Sequence, residues 1–327
     1  MKILLLGATG LLGHNVLRRL MDEGHQVVML VRNRRLLTMQ SADSKVIECG
    51  SIVDYDTLLR AAEGCEAVVN CAGVTDMGLL SLDDYLGVNR DLPRLLVDVM
   101  KSHGIRRLVH VSTVNTIGFG TPDRPADESA PMQSPFSESY YAESKSLGER
   151  ELAEGKRRYP ALEAVVVNPG FMLGPYDVKP SSGRMLLAAY RKPVMFAPGG
   201  GKAFVHVADV AGAVVRALTH GVPGQRYIAV NSHACLSIKE LYEMQARVCG
   251  YRQRVLTAPS WLLLAAGKVG DLLRRMGVRT QVSTVNIRQL LVREYYDNSL
   301  ARRDLGLEET PLEDAVRDFY EWKTNKH

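Results

Sequence analysis

The sequence lacks the cysteine spacing of a metal site or of a disulfide framework. Its cysteines are odd in number, form no CxxC pair and lie in apolar segments. They are Cys49, Cys65, Cys71, Cys235 and Cys249. This pattern is typical of reduced core residues, so we expect a cytoplasmic protein without a metal site.

A hydrophobic run long enough to cross a bilayer is also missing. The longest suspicious run, Trp261 to Ala266, ends before Lys268 and is far shorter than the roughly 20 residues that a membrane-spanning helix needs. The chain begins with a strand-like run at Lys2 that leads directly into a glycine loop, which argues against a signal peptide. We therefore expect a soluble protein.

No block of like charge stands out either. The 41 lysine and arginine residues slightly exceed the 36 acidic residues, which gives a net charge of +5 spread along 327 residues. A nucleic-acid partner is therefore not expected, whereas a small anionic ligand suits the mild excess of positive charge. The hydrophobic content of 46% and the charged content of 24% are those of an ordinary globular protein.

Short apolar runs alternate with amphipathic stretches through the first half of the chain. The runs are rich in Val, Ile and Leu without strict alternation, as expected for strands buried on both faces of a parallel sheet. We predict strands at Lys2–Leu6, Gln26–Val31, Lys45–Cys49, Ala67–Asn70, Arg107–Val111 and Leu162–Val167, and helices at Leu11–Glu23, Asp54–Ala62, Asp83–His103 and Glu138–Arg158. This order indicates an α/β fold with a Rossmann-like, doubly wound parallel sheet.

The alternation loosens after residue 170, where prolines and a glycine run indicate loops around one short helix at about 183–191. A helix at about 208–220 and a strand at Arg226–Val230 are expected to return to the sheet, and the rest is mainly helical. We predict an NAD(P)-binding Rossmann domain of residues 1–170 plus about 203–233, and a smaller substrate-binding lobe of about 171–202 plus 234–327.

A glycine-rich loop, Gly7-Ala8-Thr9-Gly10-Leu11-Leu12-Gly13, lies between the first strand and the first helix. Gly7 permits a tight turn, Gly10 lets the backbone approach a pyrophosphate, and Gly13 allows close packing of helix on strand. Free N–H groups at the start of the helix would then meet the phosphates. A plain strand–helix turn is the alternative, but the βαβ context at the N-terminus favours dinucleotide binding.

The end of the second strand distinguishes NAD from NADP. A carboxylate there would bind the ribose hydroxyls of NAD, whereas a positive charge accommodates the 2′-phosphate of NADP. The chain reads Val31-Arg32-Asn33-Arg34-Arg35, with no carboxylate. We favour NADP (as NADPH) with Arg32 as the main phosphate partner, while NAD and a simple basic surface turn remain alternatives.

Tyr141 and Lys145 lie four residues apart and therefore on one face of a predicted helix. A tyrosine acts as an acid or base near neutral pH only if its phenolate is stabilised, and a neighbouring ammonium does this electrostatically. Ser112 and Thr113 end a predicted central strand, at the sheet edge where such folds bind ligands. We expect Thr113 to polarise a substrate carbonyl and Ser112 to face the cofactor, although one of the two hydroxyls is expected merely to satisfy the strand end.

These motifs together resemble the extended short-chain dehydrogenase/reductase superfamily, also described as the NAD(P)-dependent epimerase/dehydratase family. The resemblance covers most of the chain. Besides the residues above, it rests on Asn70-Cys71-Ala72-Gly73, Asn89, Asn168-Pro169-Gly170, the segment from Phe204 to Ala211, and the segment from Tyr295 to Gly306. Val31-Arg32-Asn33 and the segment from Asn168 to Pro175 are similar to the dihydroflavonol-reductase-like branch.

The resemblance implies which residues face the dinucleotide. Ala72 and Gly73 would line the adenine–ribose side, and the segment from Pro169 to Met172 the nicotinamide side. Asn89 would be either a supporting polar residue or a buried helix-packing amide, and Asp209 is expected to cap the helix that follows it. We assign cofactor contacts to Gly7, Thr9, Gly10, Leu11, Leu12, Arg32, Ser51, Ile52, Cys71, Ala72, Gly73, Ser112, Tyr141, Lys145, Pro169, Gly170 and Met172, and catalysis to Thr113, Tyr141 and Lys145.

Two departures from the family pattern concern the cofactor and the hydroxyl. Family members carry an aspartate beside the adenine after the third strand, where this chain reads Cys49-Gly50-Ser51-Ile52, so that Ser51 offers a weaker contact. Thr113 keeps the hydroxyl of the family's serine but adds a methyl group.

The branch implies NADPH-dependent reduction of a ketone or aldehyde of a small organic substrate. The alternative is a nucleotide-sugar epimerase or dehydratase with a retained NAD, for which Arg184, Arg191 and Lys202 of the second lobe would hold a sugar diphosphate. A non-catalytic dinucleotide-sensing scaffold is a third possibility, disfavoured because the tyrosine and the lysine are both present. The superfamily also implies a possible homodimer through the long helices at 83–103 and 138–158.

Overall fold

A computed structural model describes residues 1–39 and 44–324, and the last three residues of the predicted substrate lobe lie outside that range. The strands of the described residues are β1 (Lys2–Leu6), β2 (Gln26–Val31), β3 (Ser44–Glu48), β4 (Ala67–Asn70), β5 (Arg107–Val111), β6 (Glu163–Pro169), β7 (Phe171–Leu173), β8 (Val194–Ala197), β9 (Gly201–His206), β10 (Arg226–Ala229), β11 (Cys235–Ser237) and β12 (Arg254–Thr257).

Helices connect these strands along the chain. They are α1 (Leu11–Asp22), α2 (Tyr55–Ala62), α3 (Asp83–Leu86), a π-helical turn (Gly87–Asp91), α4 (Leu92–His103), α5 (Tyr140–Arg158), α6 (Gly183–Ala189), α7 (Val207–Arg216), α8 (Ile238–Val248), α9 (Ser260–Arg275), α10 (Thr284–Leu291), α11 (Ser299–Leu305) and α12 (Leu312–Thr324). Within residues 1–39 and 44–324, no helix combines the length and the apolar character needed to cross a membrane.

Seven of the strands form one sheet in the order β10-β6-β5-β4-β1-β2-β3, and every neighbouring pair is parallel. Alternate side chains of each strand enter different cores because successive residues point to opposite faces. Ile3 and Leu5 pack with α1 and α7 on one face, while Leu4 and Leu6 pack with α2, α4 and α5 on the other. The predicted doubly wound sheet is therefore confirmed, and it explains why its strands are apolar without alternation.

The order of the sheet reverses between β1 and β4. Because all seven strands are parallel, the loops after β1, β4, β5 and β6 open at the same edge. A crevice at the carboxyl ends of the strands, next to such a reversal, is where open α/β sheets bind ligands. The fold thus gathers the glycine loop, Asn70–Gly73, Ser112–Thr113 and Asn168–Gly170 at one edge.

Several of the remaining elements form a separate core beside this edge. A three-stranded sheet, β11-β9-β7, and a two-stranded sheet, β12-β8, pack with α6, α8 and α12. The sequence predicts none of these five short strands, because runs of three to six residues bounded by proline and glycine carry no clear period. The division of the chain into two lobes at residues 170, 203 and 234 stays a prediction.

Asp209 has a different role from the one the sequence predicts. The side chain of His206 caps α7 by accepting a hydrogen bond from the Ala208 N–H at 3.0 Å. The buried carboxylate of Asp209 instead accepts from both the N–H (2.9 Å) and the hydroxyl (2.7 Å) of Thr310. The cap prediction is therefore wrong: Asp209 ties α7 to the segment that precedes α12.

Replacement of Asp209 by alanine should lower the free energy of unfolding by about 2 kcal/mol, because the substitution leaves the two partly buried donors of Thr310 without their acceptor. Chemical denaturation followed by circular dichroism measures this change. Asp22→Ala is the matched control, since Asp22 forms only an exposed 3.8 Å pair with Arg18 and should change stability little. Equal effects of the two substitutions would contradict this role of Asp209.

Candidate active site

The glycine loop after β1 approaches the loop after β4 more closely than any side chain would allow. Gly7 has a positive φ of 80°, and a Cβ there would lie 2.6 Å from the backbone nitrogen of Ala72. A Cβ at Gly13 would lie 1.9 Å from the carbonyl oxygen of Gly7. The predicted roles of Gly7 in the turn and of Gly13 in helix–strand packing are therefore confirmed.

The start of α1 has the properties of an anion site. Gly10 precedes the helix in an extended conformation, no side chain caps the helix, and its first turn carries no acidic residue. The amide groups of this turn therefore have no competing side-chain acceptor and sit at the positive end of the helix dipole. Gly10 is exposed, whereas the side chain of Leu12 is buried in the core, so that a ligand could meet only the backbone of Leu12.

The ends of β2 and β3 form an exposed basic edge. Arg32 follows β2 directly, is exposed, and its positive charge acts on the Cys49 thiol at the end of β3, where it partly offsets the rise in pKa that burial causes. Glu48 is the nearby carboxylate, and it accepts a 3.4 Å hydrogen bond from the backbone N–H of Arg34. Ser51 is also exposed, and its hydroxyl oxygen accepts from the Val53 N–H at 3.3 Å.

The loop after β4 is fixed by a buried asparagine. The carboxamide oxygen of Asn70 accepts from the Ala72 N–H at 3.1 Å, and its nitrogen lies 3.1 Å from Nδ1 of His110. Burial and the nearby Lys145 charge hold the pKa of His110 well below its usual value, so that this histidine is neutral. Burial also raises the pKa of the Cys71 thiol to about 12, which keeps Cys71 protonated.

Thr113 and Tyr141 come together at this edge of the sheet, and Lys145 lies one helical turn beyond Tyr141 on α5. The side chains of Thr113 and Tyr141 are hydrogen-bonded, which lowers the tyrosine pKa, but burial has the larger effect and raises it to about 12. The Lys145 ammonium donates a 2.8 Å hydrogen bond to the Val111 carbonyl at the end of β5. Burial lowers the pKa of Lys145 to about 8.

Ser112 turns its hydroxyl into the protein, where it donates to the carboxylate of Glu149. The same carboxylate accepts from Thr116 at 2.8 Å and from Asn168 at 3.0 Å, and it lies 3.3 Å from the Arg226 guanidinium. The Ser112 hydroxyl has therefore given its hydrogen to Glu149 and has only its oxygen left to accept a hydrogen bond from a ligand.

Glu149 is a functional candidate that the sequence analysis misses. It lies one helical turn beyond Lys145 on α5, and its negative charge opposes the burial of the ammonium by raising the pKa of Lys145. The spacing of Tyr141, Lys145 and Glu149 by four residues each is the signal that places all three on one helix face. A four-residue spacing is also common in exposed helices. The hydrogen bonds of Glu149 with Ser112, Thr116 and Asn168 show that this carboxylate faces the sheet.

Asn89 joins the loop after β4 to α5. It lies in the π-helical turn, is fully buried, and its side chain bonds to both the N–H (2.8 Å) and the carbonyl (3.0 Å) of Val74 and to the Ser144 hydroxyl (2.9 Å). Its own backbone carbonyl would lie 2.1 Å from a Cβ at Gly148, so that α5 can approach only through a glycine. Asn89 therefore combines the two predicted roles, a supporting polar residue and a helix-packing amide.

The predicted nicotinamide side lies at the end of β6 and in β7. Pro169 is buried, and the Gly170 N–H donates a 3.0 Å hydrogen bond to the Ala229 carbonyl of β10. Met172 is half-buried and packs on the core that lies beneath α1 and α7. These residues therefore stand at the same sheet edge as Thr113.

A cavity of about 200 Å³ opens beside Tyr141, and its lining is mixed polar and aromatic. It is lined by Met77, Tyr85, Glu138, Ser139, Tyr140, Tyr141, Asp271, Arg274, Ser283, Val285 and Asn286. A larger cavity of about 470 Å³ lies at α8 and residues 309–313 and is lined by none of the predicted site residues. In residues 1–39 and 44–324, no cluster of His, Cys, Asp and Glu has the arrangement of a metal site.

Comparison with known proteins gives the same picture. Residues 3–231 match the NAD dependent epimerase/dehydratase family. The sterol demethylase protein B of Methylococcus capsulatus is 28% identical over 98% of both chains. The putative dihydroflavonol 4-reductase of Synechocystis sp. is 28% identical over 98% of this chain and 93% of its own.

Solved structures share the fold over the whole chain. The UDP-glucose 4-epimerase of Thermus thermophilus, solved in complex with NAD, superposes with a TM-score of 0.77 and covers 100% of both chains. Its identity to this chain is 20%, so the likeness concerns the fold alone.

Proposed function

This chain belongs to the NAD-dependent epimerase/dehydratase family, and we propose that it reduces a ketone or aldehyde of a small organic substrate with NADPH. The resemblance to the extended short-chain dehydrogenase/reductase superfamily is confirmed, and with it an NAD(P)-dependent enzyme. The observation that carries the choice of NADPH is the exposed Arg32 at the end of β2, in a stretch without a carboxylate. A dissociable reduced cofactor suits a reductase, whereas epimerases of this fold retain theirs.

The residues at the sheet edge fit a dinucleotide. The backbone at Gly7 and Gly10 and the uncapped start of α1 would hold the pyrophosphate, and Arg32 would hold the 2′-phosphate. Ala72 and Gly73 would line the ribose of the adenosine half, and Pro169, Gly170 and Met172 the nicotinamide half. When bound, NADPH supplies the hydride that reduces the carbonyl carbon.

The protein supplies the proton. The raised pKa of about 12 keeps Tyr141 protonated, so that its phenol is ready to give the proton to the substrate oxygen as negative charge develops there. Thr113 donates a hydrogen bond to the same oxygen. The Lys145 ammonium stabilises the tyrosinate left behind, and the carbonyl gains one hydride and one proton to become an alcohol.

The names of the relatives support reduction, since the Synechocystis protein is named as a putative dihydroflavonol 4-reductase. The alternative, a nucleotide-sugar epimerase or dehydratase, needs cations for a sugar diphosphate. Of the three candidates, Lys202 forms a buried ion pair with Glu294, and Arg191 lies over the ring of Tyr190. Since Lys202 is neutralised in this way, the structure offers less support for a diphosphate than the sequence does.

A cytoplasmic location and a homodimer belong to the same proposal. The five cysteines are all free thiols, which suits a reducing compartment. Pairing of α4 and α5 between two copies stays a prediction that sedimentation equilibrium tests.

Arg32→Ser should weaken NADPH binding about tenfold, or about 1.4 kcal/mol, and leave NADH binding nearly unchanged, because only NADPH carries the 2′-phosphate. Fluorescence titration of the nucleotide-free protein with each cofactor measures this. Arg60→Ser removes an exposed arginine from α2 and serves as the control. A wild-type preference for NADH, or a tightly retained NAD, would reject the cofactor assignment and favour nucleotide sugars.

Tyr141→Phe should lower kcat for carbonyl reduction at least about 100-fold, because it removes the proton donor and little else. NADPH binding, measured by the same titration, should change much less. Tyr55→Phe, at an exposed tyrosine of α2, is the control and should keep full activity. Unchanged turnover of every accepted substrate in the Tyr141 variant would end the proposal.

The pH dependence of reduction should report the charge of Lys145. This group is charged below its pKa of about 8, so kcat/KM should be level at lower pH and fall as the pH rises through that value. Glu149→Gln removes the carboxylate that raises this pKa, so the falling limb should move to lower pH. Glu143→Gln, exposed on the same helix, should leave the limb in place. If kcat/KM of the Glu149 variant fell at a higher pH than that of the wild-type protein, Glu149 would not raise the pKa of Lys145.

A further inference from the structure

The helix α9 turns an apolar stripe outward. Its large members are Trp261 (71% exposed), Val269 (61%), Leu272 (59%) and Met276 (65%), the last of which ends the helix. With Ala265 these positions recur every three or four residues, so that they share one face. Every residue of α9 is described by the structure, and only Gly267 and Gly270 of this helix are buried.

The orientation of this stripe is fixed from the opposite side of the helix. Gly267 and Gly270 lie against the backbone of residues 282–284, and the Asp271 carboxylate accepts from the Thr284 N–H at 3.0 Å. Arg274 donates to the carbonyls of Met77, Leu79 and Thr280. These contacts hold the glycine side inward, and the apolar side has to face away from the protein.

Positive charge borders the stripe. Lys268 and Arg275 are exposed, lie two turns apart and flank the apolar face on one side, and the exposed Arg279 follows the helix. The single acidic residue between positions 260 and 282 is Asp271, which is engaged with Thr284. The exposed surface of α9 therefore combines tryptophan, aliphatic side chains and the cations Lys268 and Arg275, while Arg279 interacts with the Asp84 carboxylate.

We propose that α9 docks on the surface of an anionic lipid bilayer, with its apolar stripe among the acyl chains and its cations at the headgroups. A helix with this division lies in the plane of the interface, and tryptophan favours that depth. The helix has 16 residues. No helix in the described part of the chain is long and apolar enough to cross a membrane, so the proposed contact is peripheral.

A lipid surface suits this face better than a second copy of the chain. Two antiparallel copies of α9 packed stripe to stripe would bring Lys268 and Arg275 of each near those of the other, because both cations flank the same side of the stripe, with no exposed carboxylate on the helix to pair with them. Like charges at such a contact are repulsive, whereas phosphate headgroups neutralise them.

The inner side of α9 also forms a wall of the cavity beside Tyr141. Asp271 and Arg274 line that cavity, although they lie on the helix that carries the exposed stripe. A protein docked through α9 would therefore hold this cavity close to the bilayer, which suits an apolar carbonyl compound dissolved in the membrane. This substrate class rests on the proposed function, whereas the docking does not.

Flotation of the full-length protein with vesicles tests the docking without any assay of activity. The probes are vesicles of phosphatidylcholine alone and vesicles with roughly one third phosphatidylglycerol. Val269→Glu with Leu272→Glu tests the stripe, and Lys268→Glu with Arg275→Glu tests the charge. The controls are Val222→Glu, at another exposed apolar residue, and Lys101→Glu with Arg60→Glu, at exposed cations of α4 and α2.

We expect the wild-type protein and both controls to float with the anionic vesicles, and each α9 double variant to bind at least about tenfold more weakly. Circular dichroism and NADPH titration of the same samples establish that the variants are folded. Absence of binding by the wild-type protein, or equal binding by the α9 variants, would overturn the proposal. So would sedimentation showing that the stripe variant converts a dimer to a monomer while vesicles bind no protein, since the occupant would then be a second copy.

Discussion

A buried cation is the constraint on which the arrangement of the site depends. The Lys145 ammonium lies inside the protein, where an unpaired charge is costly, and the Val111 carbonyl and the Glu149 carboxylate offset that cost. The Glu149 side chain is itself only 12% exposed, and Ser112, Thr116, Asn168 and Arg226 satisfy its oxygens. Stabilisation of one charge thus ties α5 to the ends of β5 and β6 and to the start of β10.

The same constraint explains why the polar residues of the site come from distant parts of the sequence. Parallel strands end at one edge of the sheet, and that edge is the place where α5 can find several acceptors and donors at once. On the other side of the site, Asn70 and Asn89 also join parts of the chain that are distant in sequence. Each uses its carboxamide to bind the backbone segment after β4. The segment after β4 is therefore held by side-chain hydrogen bonds from both sides.

Much of this was predictable from the sequence, and the exceptions have physical reasons. The strands at Lys2–Leu6, Gln26–Val31, Ala67–Asn70 and Arg107–Val111 have the predicted bounds, because fully buried strands are marked by continuous apolar runs between glycine loops. The helix predicted at Asp83–His103 contains a π-helical turn around Asn89, which periodicity does not mark. The sequence does not indicate the role of Glu149, whose partner Asn168 lies 19 residues away. It predicts the wrong role for Asp209, whose partner Thr310 lies 101 residues away.

The pKa values of Tyr141 and Lys145 also bear on the proposed reaction. A tyrosine whose pKa is about 12 holds its proton at neutral pH, and a lysine whose pKa is about 8 is mostly charged there. A protonated phenol is the form that the proposed reduction of a carbonyl would use. Negative charge from a bound dinucleotide would raise the pKa of Lys145 further and so favour its charged form. Oxidation of an alcohol would need the tyrosinate, which the hydrogen bond with Thr113 favours but burial disfavours more strongly, since the pKa of Tyr141 rises to about 12.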